Sequence, residues 1–263
     1  MRIEIDGHST FVGTGGAEFD QAKPTILFLH GSGMDHRAWA LQARWFAFHG
    51  YSVLAPDFPG HSLSKGDAPS SIEASAQWLV TLLDAVGVEQ VHLVGHSQGF
   101  LSALELIRLA PERVHSLTGI GTAEAIPVNP ALIQTAQSSA YQAAKMMLQW
   151  GFGPGIHQGL SPTPGMQPIG QGLQIMGRNP LAVDLQCCAD YQAGKQALDL
   201  VTQPCAMILA GKDKMTPLKA GRATADALTA QLTVLPDVGH MLPIEAPRAV
   251  LDALAGFIAS VET

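Results

Sequence analysis

Residues 91–99 of the chain read Val91-His92-Leu93-Val94-Gly95-His96-Ser97-Gln98-Gly99. Three of the first four residues are apolar, which is typical of a buried strand. A helix is predicted from residue 98 to residue 109, before Pro111. A G-x-S-x-G pattern between a strand and a helix is typical of a sharp turn that lifts its serine out of a sheet. Glycines at both ends remove Cβ atoms that would clash in such a turn. Ser97 is therefore predicted to be a nucleophile.

Strand-like and helix-like segments alternate on both sides of this turn. Strands are predicted at residues 3–5, 11–13, 25–29, 52–55, 91–94, 114–120, 206–210 and 232–235. Helices are predicted at residues 36–48, 98–109, 217–228 and 247–261. Another helix is predicted to run through Val86, capped by Ser70 and Ser71 and ended by Gly87. This alternation predicts an α/β fold with a mostly parallel sheet flanked by helices, the first two short strands forming an antiparallel pair at one edge.

The alternation stops between residues 123 and 200, where no strand pattern is recognisable. Residues 127–150 and 179–198 have helical spacing, whereas residues 151–172 are interrupted by glycine and proline. We therefore predict a core made of residues 1–122 and 201–263, with residues 123–200 inserted as a helical cap across the open end of the sheet.

A serine nucleophile needs a base, and the base needs an acid that orients it. His240 follows the last strand and precedes the last helix, in Gly239-His240-Met241-Leu242-Pro243. Asp213 follows the strand at residues 206–210. Parallel strands place such loops at one edge of the sheet, so we predict a triad of Ser97, Asp213 and His240.

Other acids and histidines compete for these roles. Glu124 is the alternative acid, because it follows the strand at residues 114–120, while Asp237 is interpreted as a loop cap. His96 neighbours the serine, but adjacent side chains diverge, so it is interpreted as a packing residue. His30 is expected to tie the following loop by hydrogen bonds. The remaining histidines, His61 among them, have no comparable setting.

Acyl transfer also needs hydrogen-bond donors for the oxyanion, and backbone amides suit this role because they are fixed before reaction. One is predicted to be the amide of Gln98, directly after the nucleophile. The other is predicted to be the amide of Ser32, in the loop His30-Gly31-Ser32-Gly33.

These motifs, together with Pro56-Asp57-Phe58-Pro59-Gly60-His61-Ser62-Leu63-Ser64, occur in the order seen in the α/β-hydrolase superfamily. The chain resembles its small bacterial carboxylesterase, lactonase and C–C-bond hydrolase members, and the resemblance implies the same roles for Ser97, Asp213, His240, Ser32 and Gln98. One departure is Ser62, where the family usually has glycine. Haloalkane dehalogenases and epoxide hydrolases also resemble the chain, but they need an aspartate nucleophile. No metal or organic cofactor is expected.

Substrate choice is expected to depend on residues 123–200. Their adaptable apolar side chains could line a pocket or pack the cap onto the core; the candidates are Met146, Met147, Trp150, Phe152, Met166, Met176 and Tyr191. Few basic residues occur there, so a neutral or weakly polar acyl substrate is expected. The leading hypothesis is a serine hydrolase that cleaves a small, largely apolar ester through an acyl-enzyme on Ser97. Lactone opening or C–C-bond cleavage would use the same triad, and a ligand-binding receptor with little turnover is the alternative from another class.

Composition limits the partners and the compartment. The 263 residues carry a formal net charge of −7 without a basic run, which disfavours binding to nucleic acid. The acidic beginning of the chain does not resemble a signal peptide, and no apolar run reaches membrane-spanning length. Cys187, Cys188 and Cys205 are interpreted as reduced thiols. We expect a cytoplasmic protein that acts on a small molecule, with its oligomeric state left open.

Overall fold

The structure, a computed structural model, describes residues 1–154 and 168–262. Within these residues the chain forms one sheet of eight strands. They are β1 (Arg2–Ile5), β2 (His8–Gly13), β3 (Thr25–Leu29), β4 (Ser52–Pro56), β5 (Val91–His96), β6 (Val114–Ile120), β7 (Cys205–Ala210) and β8 (Gln231–Leu235). Their order across the sheet is β1-β2-β4-β3-β5-β6-β7-β8.

The sheet is mostly parallel, as predicted. β1 pairs with β2 and β2 with β4 in antiparallel fashion, and every pairing from β4 to β8 is parallel. β3, β4, β5 and β7 are buried along their whole length, because helices cover both faces. This burial accounts for their uninterrupted apolar sequences. The α/β-hydrolase fold class predicted from the sequence is confirmed.

Helices cover the two faces of the sheet and the edge at which the parallel strands end. They are α1 (Ala40–Ala47), α2 (Ile72–Val86), α3 (Gln98–Leu109), α4 (Pro130–Ser138), α5 (Ala140–Gly151), α6 (Pro168–Met176), α7 (Leu181–Asp190), α8 (Gly194–Leu198), α9 (Leu218–Ala227), α10 (Leu242–Glu245) and α11 (Pro247–Val261). Alternate residues of β3 enter different cores: Ile26 and Phe28 pack on the side of α1 and α11, and Leu27 and Leu29 on the side of α2 and α3.

Local signals set the ends of α2. The Ser71 side chain accepts a hydrogen bond from the Ala74 amide and so caps the first turn. Gly87 ends the helix with φ of 68°, in the left-handed region that glycine adopts without strain. Both positions agree with the boundaries predicted from the sequence.

Three predicted helices are interrupted. Residues 36–48 form a short 3₁₀ helix, His36–Trp39, before α1 begins. Residues 127–150 divide into α4 and α5 at Ser139, whose backbone is extended and whose side chain caps α5 by accepting from the Gln142 amide. Residues 179–198 divide into α7 and α8. Apolar periodicity missed these breaks because the same helix faces remain buried on both sides of each break.

Helices α4 to α8 lie between β6 and β7 in the described part of the chain. α4 packs against α5 and α7, α5 packs against α6, and both α7 and α8 contact α3 of the sheet layer. The predicted interruption at 151–172 falls mostly on residues 155–167, outside the described ranges, as does Met166. In the described ranges, each helix is too short or too polar to cross a lipid bilayer. Cys187, Cys188 and Cys205 are buried and unpaired.

Candidate active site

Ser97 occupies a strained turn between β5 and α3. Its φ of 52° and ψ of −121° are unusual for a residue with a Cβ, and such a conformation costs about 1–3 kcal/mol. A Cβ at Gly95 would lie 2.5 Å from the Phe100 amide nitrogen, and one at Gly99 would collide with the Leu29 carbonyl oxygen. The two glycines of the motif therefore let the chain pass through this turn.

Asp213 and His240 are brought together from loops that follow β7 and β8. Nδ1 of His240 lies 2.8 Å from Oδ2 of Asp213, and the side chains are 3% and 1% exposed for His240 and Asp213 respectively. The other Asp213 oxygen accepts hydrogen bonds of 2.8 Å from the amides of Met215 and Thr216. Asp213 is thus fixed by its own loop while it holds the imidazole.

The alternative acids lie elsewhere. Glu124 accepts a hydrogen bond from the hydroxyl of Thr224 on α9, and its own amide donates to the same hydroxyl oxygen. Asp237 is exposed. A third acid, Glu245, was not anticipated: its carboxylate accepts hydrogen bonds of 3.0 Å from the amides of Gly153 and Gly239, beside His240.

One cavity of about 160 Å³ is lined by Ser97, His240 and Ser32 together. Ser97 and His240 both line this shared space, and no hydrogen bond joins their side chains among the described residues. Most of the wall is apolar, contributed by Ile126, Val128, Leu132, Met147, Trp150, Leu185, Met215 and Met241.

The two segments that contain Gln98 and Ser32 both lie next to Ser97. Gln98 is the first residue of α3, so its amide has no acceptor four residues back within the helix. The loop that carries Ser32 lies directly against the serine, since a Cβ added to Gly31 would be 3.2 Å from the Ser97 Cβ. The two residues whose amides are the predicted donors therefore lie in segments adjacent to Ser97.

His96 and His30 brace the site from behind. His96 is fully buried, and its Nε2 lies 2.9 Å from the His240 carbonyl oxygen, which accepts a hydrogen bond from it. Burial, with the neighbouring charge of His240, lowers the pKa of His96 to about 3, so the ring is neutral. His30 lies with Nδ1 3.0 Å from the Gly31 carbonyl oxygen and accepts from the Phe58 amide through Nε2 at 3.4 Å. As expected, it ties two loops together.

A buried polar network that includes α7 holds the loop of Ser32, and sequence reasoning did not anticipate it. Oδ2 of Asp184 accepts from the Gly33 amide at 2.6 Å, across 151 residues of sequence, and lies 2.9 Å from Nε2 of His61. The side-chain amide of Asn179 donates to the carbonyl oxygens of Gly33 and Met34 at 2.9 and 2.8 Å. We call Asn179, Asp184 and His61 the loop latch.

His61 in the latch is surrounded by acceptors. Its Nδ1 lies 3.0 Å from the Pro59 carbonyl oxygen, while Nε2 faces the carboxylate of Asp184. Both nitrogens donate only when the ring is protonated. Burial lowers the pKa of His61, but the charge of Asp184 and the hydrogen bond to it raise it more, so the net pKa is above its usual value.

The candidate substrate residues divide between several places. Met147 and Trp150 line the Ser97 cavity, and Met146 packs half-buried against the core. Phe152 and Met176 line a separate cavity of about 80 Å³. Tyr191 is a correction: its hydroxyl donates to Glu105 at 2.8 Å, in the interior behind α3, because that buried carboxylate needs a partner. It does not line the Ser97 cavity.

One group of side chains has the residue types of a metal site. The ligand atoms of Asp35, His36 and Asp57 lie within 4.8 Å of one another. However, Asp35 is paired with the guanidinium of Arg37, and Asp57 accepts from both the amide and the ring of His36. None of the three lines the cavity of Ser97.

Two curated proteins are similar to most of this chain. Over 245 residues it is 28% identical to the dihydrolipoyllysine-residue acetyltransferase component of acetoin cleaving system of Pseudomonas putida. The aligned region covers 89% of this chain and 63% of that protein. It therefore spans less than two thirds of that relative. Over 235 residues it is 28% identical to the 2-hydroxy-6-oxononadienedioate/2-hydroxy-6-oxononatrienedioate hydrolase of Paraburkholderia phymatum, covering 87% of this chain and 69% of that protein.

Solved structures show the same fold. A thermophilic esterase from Thermogutta terrifontis aligns over 100% of both chains with a TM-score of 0.85 at 20% identity. The enol-lactonase from Burkholderia xenovorans LB400 aligns with a TM-score of 0.86 at 18% identity, over 98% of this chain and 100% of that one. The family match itself extends over residues 26–253. With that coverage, the chain belongs to the alpha/beta hydrolase family.

Proposed function

We propose that this protein is a serine hydrolase that cleaves a small carboxylic ester through an acyl-enzyme on Ser97. The observation that carries the proposal is the buried hydrogen bond of 2.8 Å between His240 and Asp213, at a cavity that also contains the strained Ser97. A strained residue beside an oriented imidazole is the arrangement that nucleophilic catalysis requires.

The hydrogen bond between His240 and Asp213 supports Nε2 of His240 as the base. The Asp213 carboxylate only accepts hydrogen bonds, so Nδ1 of a neutral His240 carries the proton and Nε2 has the lone pair. Nε2 takes the proton of the Ser97 hydroxyl as Oγ attacks the ester carbonyl, and then returns it to the departing alkoxide. Water then attacks the acyl carbon and gives its proton to Nε2. The bond between the acyl carbon and Oγ breaks, the carboxylic acid leaves, and Oγ of Ser97 takes the proton back from Nε2. Catalytic hydrogen bonds are often long without substrate and tighten when it binds.

The amides of Gln98 and Ser32 are the proposed donors to the oxyanion. A donor of this kind stabilises the transition state more than the substrate, and removing one costs about 10²–10³ in rate. Because the loop latch bonds both the amide and the carbonyl of Gly33, it would fix the direction of the neighbouring Ser32 amide. Asn179 and Asp184 are thus proposed as positioning residues.

The cavity supports a small substrate. Its volume of about 160 Å³ is close to that of an engineered apolar cavity of about 150 Å³ that holds benzene. Its walls come from both parts of the chain, with Leu132, Met147, Trp150 and Leu185 on helices between β6 and β7. We propose that residues 123–200 act as the cap that selects the substrate.

A second candidate is hydrolysis of a C–C bond, favoured by the similarity to the Paraburkholderia phymatum hydrolase over 87% of this chain. Lactone opening would use the same atoms. A receptor with little turnover is the remaining alternative, and it would retain the cavity without needing the proton transfer.

The test is labelling with a fluorophosphonate, followed in parallel with hydrolysis of a panel of esters, lactones and dienones. Ser97→Ala is expected to abolish labelling and to lower ester hydrolysis by at least about 10⁴-fold. Ser138→Ala, at an exposed serine of α4, is the matched control and should leave both unchanged. Labelling and turnover that survive loss of Ser97 would refute the assignment. Labelling without turnover of any ester would favour the other candidates.

A further inference from the structure

Among the described residues that line the cavity of Ser97, a single side chain has a permanent charge. Lys214 lines it from the loop that follows Asp213, and no carboxylate side chain of the described residues lines it. The Lys214 ammonium makes no hydrogen bond or ion pair with any group in residues 1–154 or 168–262. Lys214 is an exposed residue of the cavity lining, so its unpaired charge is available to a ligand.

Thr216 lines the same cavity and also has an unused donor. The residue is 5% exposed, and its hydroxyl is buried with no hydrogen-bond partner in the described part of the protein. Buried polar groups are nearly always paired, so an unpaired hydroxyl on a residue of the cavity lining is a donor left for a ligand, which this covered hydroxyl meets after a change of rotamer. The Thr216 amide, in contrast, is already used by Asp213.

The nearby negative charge does not cancel this pair of donors. The side chain of Asp213 is 1% exposed, and its two oxygens accept from the His240 ring and from the amides of Met215 and Thr216. Its charge is directed at the imidazole and the backbone. Lys214 and Thr216 therefore remain as two residues of the same cavity lining, one with an unpaired ammonium and one with an unpaired hydroxyl.

We propose that Lys214 and Thr216 form a binding subsite for a carboxylate, so that the preferred substrates are small esters that carry a second, free carboxylate group. The inference rests on the proposed ester hydrolysis and specifies its substrate class. A carboxylate accepts from both donors at once, and a single lysine balances a single negative charge. The charge comes from the loop after β7, outside residues 123–200, which explains why the scarcity of basic residues in that segment predicted a neutral substrate.

The test compares two esters of equal shape, monomethyl glutarate and methyl 5-oxohexanoate, in which a methyl ketone replaces the free acid. The wild type is expected to prefer the acid about tenfold in kcat/KM, and Lys214→Gln to lower that ratio about tenfold. Lys212→Gln removes the same charge from an exposed position two residues away and should keep the wild-type ratio. An equal ratio in all three proteins would overturn the subsite.

Thr216 is tested by two further substitutions. Thr216→Val keeps the shape of the side chain but removes the hydroxyl, and it should lower the ratio by a factor smaller than Lys214→Gln does. Thr216→Ser keeps the hydroxyl and should restore the ratio. If Val and Ser variants have the same ratio, the hydroxyl takes no part.

A separate binding measurement distinguishes failure of the subsite from failure of the proposed function. If the wild type hydrolyses neither ester, ester hydrolysis fails as the function, and monomethyl glutarate is titrated calorimetrically into Ser97→Ala. Binding that weakens about tenfold when Lys214→Gln is added supports the carboxylate subsite. Absent binding, or binding that Lys214→Gln leaves unchanged, refutes it.

Discussion

The two sides of the Ser97 hydroxyl are built in different ways. On one side, residues 95–99 form a turn whose shape is set by its own glycines, because Cβ atoms there would meet the backbone of the turn and of β3. On the other side, the loop of Gly31 to Met34 is held by Asp184 and Asn179, which lie 151 and 146 residues from Gly33. One side is a local structure and the other depends on tertiary contacts.

Because of this difference, we expect substitutions in the two regions to affect folding and catalysis differently. A substitution within the turn pushes a Cβ against backbone atoms that cannot move aside. We therefore expect folding and catalysis to be lost together. A change in the latch removes hydrogen bonds from a loop that remains connected at both ends, so catalysis should suffer more than folding. The following variants test that separation.

Gly95→Ala is expected to have the largest effect. The added Cβ would lie 2.5 Å from the Phe100 amide nitrogen, and backbone cannot move aside as a flexible side chain does. We expect a loss of about 3 kcal/mol in the free energy of unfolding and a fall of more than about 100-fold in kcat. Urea denaturation and ester hydrolysis measure the two.

Gly256→Ala is the control for that variant. A Cβ at Gly256 meets nothing within 4 Å, and the residue lies inside α11, so alanine should stabilise the protein by about 0.5–1 kcal/mol. If Gly95→Ala were as well tolerated as Gly256→Ala, the turn would not depend on the missing Cβ.

Asp184→Asn should have an intermediate effect. The neutral amide weakens the bonds to the Gly33 amide and to His61, so the Ser32 amide would be less firmly directed. We expect kcat to fall about tenfold with little change in KM, because an oxyanion donor acts in the transition state. Steady-state kinetics at a single pH provide the measurement.

Asp190→Asn, at the exposed end of the same helix, is the matched control and should keep the wild-type kcat. A merely structural role for Asp184 would lower the amount of folded enzyme, as seen in denaturation, without lowering kcat per active site titrated with a fluorophosphonate. That result would contradict a positioning role.

The smallest expected effect is a pH dependence of the latch. The pKa of His61 is raised in the folded protein, so its protonation stabilises the fold below the usual histidine pKa of about 6.5. The contribution is lost as pH rises through the higher, folded pKa. The difference in free energy of unfolding between wild type and His61→Gln should therefore shrink from pH 6 to pH 9. If the difference in the free energy of unfolding instead grew with pH, the pH dependence would have the opposite sign. His61 would then be neutral in the folded protein.

The sequence by itself determined the layout of the core. The apolar strands, the cap of α2 at Ser71 and the turn at Ser97 are consequences of residues a few positions apart, and the structure has them where the sequence predicts them. The positions of Asp213 and His240 after consecutive strands also indicated that they would meet, because parallel strands end at one edge.

Tertiary structure decided which side chains surround Ser97. Tyr191 was a pocket candidate by type, yet it is directed to Glu105, while Lys214 and Thr216 reach the cavity from a loop with no apolar pattern. Within the loop latch, Asp184 contacts His61, which lies 123 residues away in the sequence. Such contacts depend on where separate elements pack, and hydrogen bonds between distant residues leave no periodicity in the sequence. Local backbone preference could therefore be derived from the sequence, but the lining of the cavity could not.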